Sequence, residues 1–360
     1  MKNLELKKEL DNNPIDLKNN CFDIIRLIAA FQVMFGHFID HFELFDNYTF
    51  FRFLRIVSNY IPGCGVVIFF ALSGYFSLMS LERNDYANYF FKKFVRIYPE
   101  LWLAFLVNVV LIIILYGMGN TKDNIIFVFT QISFFQFYTG DWLRGYGVGT
   151  PNGALWTITV TIQFYILVYF LNMVSKKWKP LHWLLLLLIC MVISILCSNL
   201  LFLPEIITKL LAVSVIPYFY IFLVGIIVYK YRDYILRYVS EYWNYIAVFY
   251  IFTKILLSSF SKNIALGVQY DVFSSCLLSL TVIGLGYAFS LKRLKVEMSY
   301  SLFLWHMIVC NVFIEIAEIK LLDLKDFGIV FFFASIFITL LCSFVSSLFG
   351  KKLLKRCVLK

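Results

Sequence analysis

Charged residues are scarce in this chain. Asp, Glu, Lys and Arg together make up 15% of its 360 residues, whereas a soluble domain averages about 25%. This scarcity excludes an ordinary soluble enzyme and a disordered chain. The 8 cysteines form no Cys-x-x-Cys pair, so the spacing supports neither a disulfide framework nor a metal site.

Apolar residues fill the chain instead, at 61% with 40 Phe and 23 Tyr. Runs of about 20 such residues can cross a bilayer as helices, and ten are present. The sequence therefore predicts an all-α polytopic membrane protein with about ten transmembrane helices in a single domain, 1–360. The stretch 124–138 is shorter and more polar, so it is predicted to be re-entrant or interfacial. The ten spans are 22–42, 61–81, 100–118, 154–174, 181–203, 210–229, 243–260, 270–290, 299–316 and 328–350.

The positive charges are unevenly divided among the connections between these spans. The net charge of +10 first suggests an acidic partner, but 22 Lys and Arg fall on one side of the membrane and 8 on the other. Because basic loops stay in the cytoplasm, both termini are predicted to be cytoplasmic, as tails 1–20 and 351–360. We expect no cleavable signal peptide. The basic side is expected to meet membrane lipid, and no nucleic acid is expected to bind.

The first predicted span carries an unusual stripe of ionisable residues. Arg26 and His37 are eleven positions apart, which at about 100° per residue places them on one helix face, roughly 16 Å apart along the axis. Asp23 lies one turn before Arg26, and Asp40 and His41 one turn after His37. A snorkelling arginine and a packed histidine would be the simple explanation. Idle polar groups are costly in a bilayer, however, so the stripe favours a function.

Two further segments have both structural and functional explanations. Ser73 and Gly74 lie in the second span, where small residues allow helices to approach closely. The stretch 89–99 contains Lys92, Lys93 and Arg96, and we expect Pro99 to end it. It is either an interfacial anchor on anionic lipid or a clamp for phosphate groups.

The glycine-rich connection 145–153, on the predicted outer side, is followed by a span beginning near Trp156. With Asp141, Arg144 and Asn152 it is predicted to form a carbohydrate-facing surface, since planar polar groups and aromatic faces suit sugar rings. The alternative is a flexible loop with an interfacial tryptophan. A fourth cluster, 299–306, places His306 about 10 Å into the bilayer, where an isolated histidine would be a core residue.

Together these clusters resemble the acyltransferase-3 family of integral-membrane O-acyltransferases. The resemblance rests on five motifs that occur in order along nearly the whole chain. They are Arg26 with ten residues before His37, Phe-Phe-x-x-Ser-Gly at 69–74, Arg-Ile-Tyr-Pro at 96–99, Leu-Trp…Gln-Phe-Tyr at 155–165, and Ser-Tyr-Ser-Leu-Phe-Leu-Trp-His at 299–306.

The resemblance implies transfer of an acyl group, most often acetyl, to a hydroxyl of an extracytoplasmic polysaccharide or lipid-linked sugar. It implies an acyl-CoA donor, such as acetyl-CoA, presented from the cytoplasm. In the family the position of His37 is regarded as essential, that of Arg26 as its companion, and that of Arg96 as part of the inner site. Capsule and exopolysaccharide O-acetyltransferases are the most similar subgroup, which implies a cell inner (cytoplasmic) membrane location.

One position departs from the family pattern. A glutamate usually follows Leu-Trp-x-x-x-x, where this chain has Thr161. The departure is compatible with altered acceptor activation, with another acid such as Asp40 acting instead, or with an inactive member.

The residue types fit this chemistry. A neutral imidazole at His37 can accept the hydroxyl proton near pH 7, and Asp40 would orient it as a triad acid does. An acyl group carried on His37 is the open alternative to direct transfer. No metal is expected. The donor-side candidates are Arg26, Lys92, Lys93 and Arg96 for the CoA phosphates, with Ser73 and His306 as donors to the oxyanion. The acceptor-side candidates are Asp141, Arg144, Asn152, Trp156, Thr161, Gln163 and Tyr165.

Two other functions use the same features. A non-catalytic carrier, or flippase, for a lipid-linked sugar or an acyl donor would use the polar stripe as a pathway. Such carriers are built from repeats with broken helices in matching positions, and we find no repeat in the sequence. A scaffolding subunit would not require Arg26, His37 and Arg96 to converge.

Overall fold

A computed structural model describes residues 20–61, 63–198, 204–258, 271–291 and 294–358 of the chain, with side chains up to residue 353. Helices and short 3-10 turns account for all regular structure in these ranges. The helices are α1 Phe22–His41, α2 Leu44–Asn47, α3 Thr49–Tyr60, α4 Gly65–Arg83, α5 Tyr86–Leu115, α6 Thr121–Ile132, α7 Trp156–Val174, α8 Pro180–Ser198, α9 Glu205–Ala212, α10 Phe219–Lys230, α11 Arg232–Glu241, α12 Trp243–Ser258, α13 Val272–Ala288, α14 Ser299–Lys320 and α15 Leu324–Val358.

Most of the predicted spans correspond to helices that can cross a membrane. Among the described residues, seven helices are long and apolar enough, and a bent pair including α9 and α10 makes an eighth candidate. The helices α12 and α13 have 16 and 17 residues, or about 24–26 Å, somewhat less than the ~30 Å hydrocarbon core. The all-α polytopic fold is confirmed. The count of ten and the cytoplasmic termini stay predictions.

The basic stretch and the third span form one helix, which corrects a sequence prediction. We expected Pro99 to end the stretch 89–99, but α5 continues through it to Leu115. Proline removes one backbone hydrogen bond without preventing a membrane helix, because neighbouring helices can satisfy the freed groups. Asp85 caps the start of the helix, because its carboxylate accepts a 2.7 Å hydrogen bond from the backbone N–H of Asn88.

The predicted span 210–229 is broken rather than straight. Its two parts, Glu205–Ala212 and Ile216–Lys230, meet at an angle of 49°. At the break the Ser214 hydroxyl donates to the Leu211 carbonyl at 2.8 Å and accepts from the Ile216 N–H at 3.3 Å. Such local side-chain bonds compete with the helix ladder, and Pro217 supplies no N–H to restore it.

Both predicted tails fall partly outside the described residues. Of the tail 1–20, residues 1–19 lie outside them, and the tail 351–360 continues α15 as far as Val358. The helix 121–132 lies within the stretch predicted to be re-entrant or interfacial, and that prediction stays untested.

The described residues divide into two compact units. The first lies within Met1–Ile25, Val67–Arg83 and Leu167–Lys295, and the second within Arg26–Val66, Asn84–Ile166 and Val296–Lys360. In the first unit, α4 and α10 cross with their backbones in contact. A side chain at Gly74 would overlap the Phe222 carbonyl, and one at Gly225 would overlap the Ala71 carbonyl. The small residue predicted to allow close helix approach at Gly74 does so.

The second unit is organised around α5, α14 and α15, which pack against one another. Gly65 lies against the backbone of α1, where its N–H donates to the Gln32 side chain at 2.9 Å. Gly350 of α15 leaves room for the side chain of Glu100 on α5. This unit contains all the predicted site residues except Ser73.

We predict that Gly225→Val destabilises the protein, because its side chain would be forced into the α4 backbone. Overpacking of this kind costs about 1–3 kcal/mol. Thermal unfolding of the detergent-solubilised protein should show a lower Tm. Val192→Leu, on the exposed side of α8, is the matched control. An unchanged Tm for Gly225→Val would contradict the tight crossing.

Candidate active site

Three of the four histidines of the chain meet in the second unit. His37 and His41 lie one turn apart on α1 with nearly parallel rings, 5.6 Å between centroids. His306 comes from α14, and its ring centroid is 5.3 Å from that of His37. Spacing of i and i+4 brings the first two together. The third depends on how α14 packs. Among the described residues, no group of three or more His, Cys, Asp or Glu side chains is arranged to hold a metal ion.

The start of α14 fixes the depth of His306. The Glu297 carboxylate accepts hydrogen bonds from both the backbone N–H, at 2.9 Å, and the hydroxyl of Ser299. Unpaired N–H groups at a helix start require such partners. His306 follows two turns later with no solvent exposure.

The ring of His306 has a defined orientation. Its Nδ1 lies 3.1 Å from the Leu302 carbonyl oxygen, which can only accept, so Nδ1 carries the proton. In a neutral imidazole the other nitrogen, Nε2, then carries a lone pair. The predicted role of His306 as a donor to an oxyanion does not fit this arrangement, because Nε2 has no hydrogen to donate.

Asp40 has a strong partner that the sequence did not indicate. The Arg55 guanidinium donates to both carboxylate oxygens, from Nε to Oδ1 at 2.9 Å and from Nη2 to Oδ2 at 2.7 Å. Its Nη1 donates to Asn59 at 3.0 Å. Paired contacts of this kind are among the stronger ion pairs. The role predicted for Asp40 in orienting His37 stays a prediction, and its carboxylate is now placed in a bidentate pair with Arg55.

Basic residues from two helices converge near the other end of α1. The ammonium of Lys93 lies 4.3 Å from the ring centroid of Tyr165 and 5.4 Å from that of Tyr89. The positive charges of Arg26 and Arg96 act on it. Three of the four predicted phosphate-binding residues are therefore neighbours. The fourth, Lys92, donates to the side-chain oxygen of Asn84.

Tyr165 belongs to this basic cluster rather than to the acceptor surface. The sequence groups it with Trp156, but the two are nine positions apart on α7, or roughly 14 Å along the axis. Its ring faces Lys93, and its carbonyl accepts a 3.3 Å hydrogen bond from the Tyr89 hydroxyl. Ser73 lies on α4 in the first unit, and its role as a donor to the oxyanion stays a prediction.

The glycine-rich connection is anchored to α14 through its backbone. The Asn311 side chain accepts from the Val148 N–H at 3.0 Å and donates to the Thr150 and Pro151 carbonyls at 2.8 and 3.0 Å. One turn later, the Glu315 carboxylate accepts from the Gly147 N–H at 3.1 Å. Gly147 has φ +52°, and a side chain there would overlap Asn311. The flexible-loop explanation is therefore wrong for this segment.

The same connection also packs against apolar side chains of α5 and α6. Leu143 and Tyr146 are buried against Phe105 and Ile112 of α5 and Phe127 of α6. Burial raises the pKa of the Tyr146 hydroxyl, and the negative charge of Glu315 adds to the effect. Apolar contacts with α5 and α6 and hydrogen bonds to Asn311 and Glu315 of α14 together hold this loop in place.

The predicted acceptor residues occupy different parts of the loop and of α7. Asn152 is buried, and its amide donates to the Leu304 carbonyl at 2.8 Å. Arg144 donates to the Thr139 carbonyl at 3.3 Å, and Asp141 is exposed. Trp156 and Gln163 are half-buried on α7. The Thr161 hydroxyl donates to the Thr157 carbonyl at 2.7 Å within its own helix, so it is already engaged.

Several polar residues at the site were missed. Asn311 and Glu315 are spaced i, i+4 within an apolar span, and the rule that flagged the stripe on α1 would also have flagged them. Glu100 accepts hydrogen bonds from Ser301 and, at 3.3 Å, from Ser346, so it joins three helices. Arg55 lies in a helix outside the predicted spans, and no local pattern pointed to it.

The sequence matches the family model described as an acyltransferase domain over residues 19–348. The chain belongs to the acyltransferase-3 family. This confirms the resemblance seen in its motifs, and the acyltransferase-3 model covers the described site residues of both units. No solved structure matches the chain.

Two curated proteins are similar to parts of this acyltransferase-3 chain. Nodulation protein 10 of Rhizobium leguminosarum bv. viciae is 31% identical over 173 residues, covering 44% of this chain and 46% of that protein. The O-acetyl transferase of Shigella phage Sf6 is 35% identical over 85 residues, covering 23% and 24%. The chain thus spans less than half the length of either relative.

We predict that Asn311→Ala loosens the loop. The substitution leaves the Val148 N–H and the Thr150 carbonyl without their side-chain partner, and the Pro151 carbonyl keeps only the hydrogen bond from Asn108. Hydrogen–deuterium exchange should rise in a peptide covering 146–151, because exchange reports local opening. Asn47→Ala removes an exposed amide that donates to a carbonyl of its own turn and should leave this peptide unchanged. Equal exchange in both variants would refute the clamp.

Proposed function

We propose that the protein is a membrane O-acyltransferase that moves an acetyl group from cytoplasmic acetyl-CoA to a hydroxyl of an extracytoplasmic polysaccharide or lipid-linked sugar. The observation that carries the proposal is the arrangement along α1. Arg26 at one end lies among cations, and His37, roughly 16 Å away, meets His306 of α14. A charged donor bound at one end would bring its acyl group towards the imidazoles.

The basic cluster supports the donor assignment. CoA carries several phosphate charges, and clustered cations are suited to bind them. Lys93 is held over two tyrosine rings beside Arg26 and Arg96, so mutually repelling charges are gathered where an anion would relieve the repulsion. These residues would hold the phosphates of acetyl-CoA, and the thioester supplies the acyl group. Tyr165 joins this proposed donor site.

The imidazoles supply the reaction's acid–base chemistry. Transfer forms a bond between the acceptor oxygen and the acyl carbon, breaks the carbon–sulphur bond, and moves the hydroxyl proton to the sulphur. His37 would serve either as the base that receives this proton in between or as the nitrogen that carries the acyl group. Either role requires His37.

The anchored loop supports the acceptor assignment. Its clamped backbone presents Asp141 and Arg144 at the surface, with Trp156 at the start of α7. Rigid polar groups beside an aromatic ring are suited to a sugar. The name of the phage Sf6 relative, O-acetyl transferase, agrees with a hydroxyl acceptor. With the basic connections in the cytoplasm, the protein would lie in the cytoplasmic membrane with this loop outside.

The first test is His37→Ala in purified, liposome-reconstituted protein. Removing the imidazole should lower transfer of radiolabelled acetyl to de-O-acetylated surface polysaccharide by at least about 100-fold, since acid–base residues contribute that much. His182→Ala, at an exposed position, should behave as wild type. Wild-type turnover in His37→Ala would refute the assignment. Movement of the sugar across the bilayer without covalent transfer would support a carrier instead.

The second test separates donor binding from chemistry. Lys93→Met keeps the aliphatic stem and removes the charge, so the KM for acetyl-CoA should rise roughly 10-fold to 100-fold, the value of one charge-assisted contact. Turnover at saturating donor should change much less. Lys122→Met alters an exposed lysine and serves as the control. A loss of turnover that donor cannot rescue would argue against the clamp.

A further inference from the structure

In the ring of His306, one nitrogen is hydrogen-bonded and the other has no partner among the described residues. The side chain is completely buried, and the Leu302 carbonyl fixes the proton on Nδ1. Nε2 has no hydrogen-bond partner among the described residues. A buried polar atom without a partner costs free energy, so a group in this state at an active site points to a ligand that completes it.

The aromatic rings that contact His306 in the described part of the chain do not supply a donor to Nε2. The rings packed around His306 are those of His37, Phe38 and Phe303, with centroids 5.3, 6.5 and 5.7 Å away. The phenylalanines are apolar. The ring of His37 lies at 29° to that of His306 in a stacked arrangement, which does not direct an N–H of His37 along the Nε2 lone pair. The unpaired acceptor therefore sits beside the residue on which the proposed reaction depends.

From this geometry we infer that His306 is a second catalytic imidazole, whose Nε2 takes the proton of the acceptor hydroxyl. This inference rests on the proposed function and deepens it. The hydroxyl donates its hydrogen to Nε2, and its oxygen attacks the acyl carbon as the O–H bond breaks. The group that leaves the acyl carbon receives the proton from His306. That group is a His37 nitrogen, which has first taken the acyl group from the thioester while its own proton passed to the departing CoA sulphur. The inference therefore requires the acyl-carrying role of His37, not its role as the base.

The fixed tautomer is what suits His306 to this task. The hydrogen bond from Nδ1 to Leu302 persists while Nε2 gains and loses a proton, so the ring does not have to turn during the cycle. The carbonyl also stabilises the imidazolium form, much as a carboxylate does in a catalytic triad. The buried position also fixes the orientation of the imidazole plane, because the neighbouring aromatic rings restrict its rotation.

The test is His306→Asn in liposome-reconstituted protein. The asparagine amide can keep the N–H contact to the Leu302 carbonyl, but no base remains at the Nε2 position. We expect kcat for radiolabelled acetyl transfer to de-O-acetylated polysaccharide to fall by about 10²-fold to 10⁴-fold, with the KM for acetyl-CoA unchanged. His182→Asn is the matched control.

Hydroxylamine as the acceptor separates a base from a structural residue. It is nucleophilic near neutral pH without deprotonation, so acetylhydroxamate formation in His306→Asn should fall much less than transfer to the polysaccharide. Equal losses with both acceptors, or wild-type kcat with polysaccharide, would overturn the inference. If His306→Asn does not fold, judged by its Tm, His306→Gln answers the same question. Wild-type protein inactive with both acceptors would instead refute the proposed function.

Discussion

The scarcity of water inside a membrane bundle governs this structure. A polar group on an interior helix needs a partner within the protein, and two residues of the described site show how such partners are supplied. Asn311 uses three hydrogen bonds on a single loop, and Glu100 accepts from serines of two other helices. Several buried polar atoms of the described residues lack a partner, among them Nε1 of Trp305 on the same helix. The unpaired Nε2 of His306 differs from these because its ring packs against that of His37.

Local features of the fold were predictable from the sequence. The first span was expected at 22–42 and is observed at Phe22–His41. The span expected at 299–316 begins at Ser299. The length of an apolar run and the helical spacing of its residues depend only on residues close in sequence, so they predict a helix without knowledge of its tertiary contacts. The meeting of His37 with His41 follows from the same rule.

Contacts between distant segments were not predictable in this way. Arg55 reaches Asp40 because α2 and α3 reverse the chain direction, and nothing in the spacing encodes that reversal. Tyr165 follows Trp156 closely in sequence, which groups it with the outer loop, but α7 carries it roughly 14 Å away along the helix axis. Pro99 was expected to end a helix that tertiary packing instead carries through. For Asp40 and Tyr165 the contact that decides the arrangement comes from another helix.

The uninterrupted helix α5 links two ends of the site mechanically. Lys93, in the basic cluster, and Asn108, whose amide donates to the Pro151 carbonyl at 3.1 Å, are fifteen residues apart on it, or roughly 22 Å. Pro99 lies between the two residues, and proline is a position at which long helices bend, so the geometry of α5 at Pro99 sets the distance between the basic cluster and the Pro151 carbonyl. The cluster proposed to bind the donor and the loop proposed to meet the acceptor are therefore connected through the backbone of a single helix.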